Sequence, residues 1–260
     1  MLNKYIVVFF FLAIILAGNL SFTQPVCAET LVHSTTETRL LLALRVGQEE
    51  LQKSLPATWQ VAPLPGGPLK GANFFVLFID PVLFQDAQGK PDVGATNRYT
   101  VFAVPAKHTQ TGEIATVVVT GGVASASSSV PGAYKTSLQG TVKREQTYKG
   151  ANIEGGVVDD FWEVRDNQGG IIELRIQYER ALPLRTKLDQ KVYSAVEPTF
   201  YRIYKQEIAM DLVKSIPTGV DHVKNYRLNV AIPKLKNLFD GSELVGVVAY
   251  PMFLRQIFLP

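Results

Sequence analysis

Apolar residues in this chain come in short runs rich in β-branched and aromatic side chains, cut by Gly, Pro, Asn and Asp turns. No heptad, internal repeat or regular helix–strand alternation runs through it, which removes coiled coils, solenoids and parallel α/β sheets. Arg39–Val46 suits a strand buried on both faces and ends at Gly47; Gln48–Ser54 has the composition of two helical turns, stopped by Pro56. Trp59–Val61 resumes extended structure, and Pro63–Pro68 is a turn. Asn73–Asp80 reads as a central strand. Arg98–Val104 alternates with Tyr99, Val101 and Ala103 on one face, and a hairpin at Thr111-Gly112 leads to Ile114–Val119. Thr120–Gly132 is a small-residue loop. Phe161–Arg165 and Ile171–Tyr178 form a hairpin about Asp166–Gly170. Tyr226–Ile232 is a strand, Pro233–Leu238 a short helix, and Leu244–Leu259 a long apolar run interrupted by Pro251. The expected fold is therefore mainly β with a few short helices: one domain, a closed antiparallel barrel or a sandwich.

The first 28 residues differ from the rest. Lys4 precedes the apolar run Tyr5–Leu16, and a polar stretch ends in Val26-Cys27-Ala28. The run is short for a membrane span, so a cleaved secretory signal (residues 1–28) fits better than a retained anchor, and Gln24-Pro25-Val26 is a poor lipidation context. The expectation is an exported protein, periplasmic or extracellular, whose single domain is residues 29–260. Cleavage would remove Cys27, the one cysteine. That excludes disulfides, thiol nucleophiles and thiolate metal sites from the mature chain.

Of 260 residues, 47% are hydrophobic and 19% charged, enough to build a large core and too apolar for disorder. Twenty-six Lys and Arg against 23 Asp and Glu leave a formal charge of +3. Lys143-Arg144 is the one adjacent basic pair, so there is no nucleic-acid footprint. His33, His108 and His222 have no ligand at metal spacing, so no metal and no cofactor is expected. There is no G-x-S-x-G elbow. Gly66–Gly71 looks like a phosphate loop but leads into a strand. Asp159, Asp160 and Glu163 flank a turn and strand start, where solvated acids are ordinary.

One pattern is more informative as a unit. Leu44–Pro56 followed by Trp59-Gln60-Val61 is strand, short helix, Leu-Pro step and strand; Tyr99–Pro105 and Leu244–Pro251 continue it. Together these resemble the acetoacetate decarboxylase-like superfamily across most of the mature chain. The resemblance implies a closed antiparallel barrel with an apolar central cavity. It also implies a lysine that forms a Schiff base with a β-keto acid and withdraws electrons as CO₂ leaves. Such a lysine must be neutral, and lowering its pKa from about 10.4 to near 7 takes about 4–5 kcal/mol of desolvation or repulsion.

The matching lysine is Lys135, in Gly132-Ala133-Tyr134-Lys135-Thr136; Thr136 replaces the family's second lysine and Tyr134 the preceding proline. Tyr99 and Phe74 stand where the family has cavity acids. The resemblance thus casts Lys135 as the catalytic amine, Arg39 or Arg98 as the carboxylate holder and Tyr99 as a hydrogen-bond donor. Arg39 matches with a two-residue slip on the same strand face. The alternative is a non-catalytic barrel whose cavity, lined by residues such as Phe74 and Phe102, holds a small hydrophobic or ketone-bearing ligand. The expected partner is a small molecule, with no nucleic acid and no stable membrane span, and association into a homo-oligomer is open.

Overall fold

The computed structural model describes residues 29–92, 97–119, 122–125 and 132–260, so the expected signal segment and much of the small-residue loop lie outside the described residues. The chain forms β1 (Thr30–Arg45), helix α1 (Gln48–Gln52), β2 (Trp59–Val61), β3 (Phe74–Asp86), β4 (Tyr99–His108), β5 (Ile114–Val118) and β6 (Val123–Ala124). It continues with β7 (Leu138–Lys149), β8 (Val157–Asp166), β9 (Ile171–Glu179), β10 (Leu184–Ser194), β11 (Tyr201–Ser215), β12 (Val220–Asp221) and β13 (Val223–Val230). A 3₁₀ turn at Pro233–Leu235, helix α2 (Lys236–Phe239) and β14 (Glu243–Leu259) end it.

The strands make two layers. One sheet runs β10-β5-β4-β3-β1-β14-β11 and returns to β10, closing a barrel, with β2 added to β4 and β12 to β11. Its pairings are antiparallel except at the β5–β10 seam, where Val192–Ser194 run parallel to Thr116–Val118. The second sheet, β13-β9-β8-β7-β6, packs on the outside of this wall. The expected mainly-β barrel is what forms.

Period-two alternation gives the shared wall two different faces. Leu40, Leu42, Leu44, Phe74, Phe78 and Phe102 turn outward and meet Trp162, Val164, Ile172, Leu174 and Ile176 of the second sheet, and all are buried. The intervening residues turn into the barrel, among them Ile79, Tyr99, Val101, Tyr204 and Ile257.

β14 runs through Pro251 rather than stopping there. Arg39 pairs with Tyr250 but Glu37 with Phe253, and on the other side Asp211 pairs with Ala249 but Ala209 with Met252. The strand bulges at Pro251 on both sides, which accommodates the missing N–H without ending the sheet.

Candidate functional site

The barrel interior is charged. Glu37 and Arg39, two apart on β1, point the same way, and Arg255 reaches them from β14. Their whole-residue exposures are 1%, 7% and 2%. Arg39 Nε donates to Glu37 Oε2 at 2.6 Å; Arg255 Nη2 donates to Glu37 Oε1 at 2.8 Å and to Tyr99 Oη at 3.3 Å. The Tyr99 hydroxyl lies 3.4 Å from the same carboxylate oxygen, and Arg255 Nε lies 3.4 Å from Thr35 Oγ1. Aromatic rings flank both cations. Arg39 stacks 3.5 Å from the Phe253 ring centre and Arg255 4.8 Å from that of Tyr204.

Burial works to raise the Glu37 carboxyl, but Arg255 and Arg39 outweigh it and hold it below the usual range. Burial, then the Glu37 charge, pushes the Tyr99 phenol far up, and burial does the same to Tyr204 and takes Tyr250 to about 12. The tyrosines are neutral donors at physiological pH. Two guanidinium groups and one carboxylate leave one positive charge without a counter-ion in this cluster. Moreover, Arg39 Nη2, although 2.5 Å from Glu37 Oε2, is buried with no acceptor aligned for a hydrogen bond among the described residues. A buried, under-neutralised guanidinium calls for an anion, and a carboxylate matches its planar fork.

The segment after the small-residue loop closes over this cluster. Ala133 N–H donates to the Tyr204 hydroxyl at 3.0 Å, and the Tyr134 ring stands edge-on to Tyr99, centres 6.2 Å apart. Gly132 has φ +126°, and a Cβ there would collide with the Tyr204 hydroxyl.

No protein-family model matches the sequence, and no curated protein does. Solved structures match over nearly the whole chain. An acetoacetate decarboxylase-like enzyme from Sphingomonas wittichii RW1 superposes with a TM-score of 0.52 at 13% identity, covering 92% of this chain and 98% of its own. The enduracididine biosynthesis enzyme MppR, complexed with the condensation product of pyruvate and imidazole 4-carboxaldehyde, gives 0.51 at 9% identity, covering 90% of each chain. The chain has the acetoacetate decarboxylase-like fold.

Within this acetoacetate decarboxylase-like barrel the residues singled out from sequence separate into four places. Arg39 and Tyr99 lie together in the interior, bridged by Glu37. Phe74 and Phe102 lie on the opposite face of the wall, their rings stacked 5.9 Å apart in the inter-sheet core, and Arg98 is half-exposed with its Nε 2.8 Å from Asp80. Lys135 contacts Glu197 and Phe200 rather than Glu37, Arg39 or Arg255. Its side chain is 34% exposed, and its amine is 2.9 Å from Glu197 and 3.7 Å above the Phe200 ring. No lysine is buried among the described side chains.

The interior implied by the family resemblance is apolar; the observed one holds an ionic triad instead, and two of its three members, Glu37 and Arg255, carry no sequence motif. Asp160, read as a solvated acid, is buried. Arg144 clamps it at 3.0 and 2.7 Å and reaches Asp80 at 3.2 Å, an ion pair at the edge of the inter-sheet layer. Among the described residues no group of three or more His, Cys, Asp or Glu is placed to hold a metal ion.

Proposed function

We propose that the barrel binds a small carboxylate-bearing carbonyl compound of the β-keto acid class, held by ionic and hydrogen-bonding contacts without a covalent link to the protein. Arg39 and Arg255 take the carboxylate, and the neutral Tyr99 hydroxyl donates to the carbonyl oxygen. The observation that carries this reading is the buried excess positive charge with an Arg39 Nη2 lacking an aligned acceptor. Keeping such a charge in a low-dielectric site costs several kcal/mol, and an anion relieves it.

The test is thermal unfolding and titration calorimetry of the purified protein with acetoacetate, pyruvate and neutral acetone, followed by borohydride treatment with acetoacetate and peptide mapping. Ligand at 100 times Kd stabilises by about 2.7 kcal/mol, so both acids raise Tm while acetone does not. Failure of every acid to bind ends the proposal. A reduced adduct on Lys135 replaces it with a second reading, a Schiff-base lyase. That reading is favoured by the position of Lys135 beside Ala133 and Tyr134, which touch interior tyrosines.

The N-terminal features, Lys4, Tyr5–Leu16 and Val26-Cys27-Ala28, support export. N-terminal sequencing of the protein from its native host checks it, and a start at Glu29 is expected.

A further inference from the structure

The barrel wall is incomplete at β10. This strand pairs with β11 from Leu184 to Tyr193, but on its other side only Val192–Ser194 meets β5. Among the described residues, the part before Val192 therefore has an open edge. Cross-strand partners share a face, so the register shows which side chains turn inward. Leu188, Gln206, Arg255 and Thr35 form one row across β10, β11, β14 and β1, and Thr186, Ile208, Phe253 and Glu37 form the next. Leu184 follows, opposite Met210. Arg255, Gln206, Phe253 and Ile208 are buried, whereas Leu188 and Leu184, on the same face, are 45% and 70% exposed. The interior face thus emerges through the opening as a ledge that carries Leu188 and Leu184 with Thr186 between them. At about 4.8 Å per strand, Leu188 lies about 10 Å from Arg255 along the row.

We infer that the ligand is an amphipathic carboxylate, with its head at Arg39 and Arg255 and an unbranched apolar tail leaving the barrel over Leu188 and Leu184. This rests on the carboxylate-binding reading above and adds the tail. Charge complementarity fixes the head, and the continuous sheet face fixes the path. A second strand is a poor occupant of the same edge. Arg185, Lys187, Asp189 and Lys191 alternate with Leu184, Thr186, Leu188 and Gln190, and charges of this kind guard an edge against pairing.

The experiment titrates the purified protein with straight-chain carboxylates from butyrate to decanoate, which carry no reactive carbonyl. A fully buried CH₂ tightens binding about fourfold; a ledge open on one side gives about half of that free energy, so about twofold per carbon and about 60-fold over the six added carbons. Leu184→Gln/Leu188→Gln, two changes at exposed positions, flattens the series and leaves butyrate affinity unchanged. Binding that is independent of chain length overturns the tail but keeps the carboxylate site. No binding at any length overturns both. Sedimentation showing a dimer that the double variant converts to monomer also overturns the tail, since a second copy then covers the leucines.

Discussion

The two faces of the barrel wall are built from alternate residues of the same strands, yet they obey different rules. On the outer face, Phe74, Phe78 and Phe102 meet Trp162 and the second sheet's aliphatic side chains, and charge is confined to the edge, where Arg144 joins Asp160 and Asp80. On the inner face, Glu37, Arg39 and Arg255 sit at the centre among tyrosines. The outer layer maximises buried apolar area; the inner one holds groups that are expensive to bury. The difference assigns most of the stability to the inter-sheet layer, while the interior carries the buried charge on which the carboxylate-binding proposal rests.

The strongest way to break that division is to empty the outer layer. Trp162 is fully buried against Phe78. Trp162→Ala lowers unfolding free energy by about 3–5 kcal/mol, measured by denaturant titration. Well below its lowered Tm, carboxylate affinity changes less than twofold. A large affinity loss would show that the two faces are coupled.

Next in size is the interior acid. Glu37→Gln leaves Arg39 and Arg255 without a carboxylate, a loss of about 3 kcal/mol because an uncompensated buried charge remains. Added acetate restores part of it, since a free carboxylate takes the vacated role; neutral acetamide does not. The pH dependence has a definite sign. The native Glu37 carboxyl lies below its ordinary 4.5, so its stabilisation is complete above that range and is lost as pH falls through the lowered value. In the variant this part of the acid limb disappears.

This contrast also explains what could be read from the amino-acid sequence. The hairpin about Asp166–Gly170, the strand from Phe74 and the Tyr99/Val101 face follow from alternation and turn chemistry, and each is present. The same alternation separates Phe102 from Tyr99, since period two sends neighbours three apart to opposite faces. β11 and β7 gave no comparable signal. In β11 the inward residues Tyr204 and Gln206 are themselves polar and alternate with Lys205 and Glu207, so the hydrophobic period is erased where the interior is polar. Glu37 stands two residues from Arg39 on β1, and Arg255 stands among apolar neighbours on β14. Their available signal was phase: a charge at an inward position of a strand, Arg255 between Phe253 and Ile257. Their meeting, 218 residues apart in sequence, needed the β1–β14 register.

A smaller effect sharpens the picture of the outer layer's edge. Asp211 is fully buried at the β11 bulge, with Arg180 Nε 3.8 Å from its Oδ2. Burial raises its carboxyl, against the opposing pull of the Ala181 N–H and Arg180. The folded state therefore holds this proton more tightly than the unfolded chain, and stability is lost as pH rises from the ordinary 3.8 through the raised value. Asp211→Asn raises neutral-pH stability by about 1 kcal/mol, by replacing a desolvated charge with a neutral amide. Denaturation at pH 4 and pH 8 checks it: the gain is present at pH 8 and shrinks at pH 4. A loss at pH 8 would mean that the Arg180 ion pair outweighs the desolvation.

The smallest expected effect falls on Lys135, the residue on which the two proposed readings differ. Lys135 makes an ion pair with Glu197 in which both side chains are at least one-third exposed, 34% and 52%, a class of contact that contributes at most about 1 kcal/mol. Lys135→Gln therefore shifts Tm by no more than a few degrees. If the ligand is held by the guanidinium pair, the variant also keeps its carboxylate affinity, because the amine contacts Glu197 and Phe200 and neither guanidinium. Arg39→Gln at the same protein concentration loses that affinity. The pairing of these two variants is what discriminates. A site organised around a nucleophilic amine would show the reverse, with Lys135→Gln abolishing any borohydride-fixed adduct and any turnover of acetoacetate while Arg39→Gln only weakened binding. The inner face would then be a catalytic chamber served by a residue on its closing segment, and the charged triad would orient substrate for that amine.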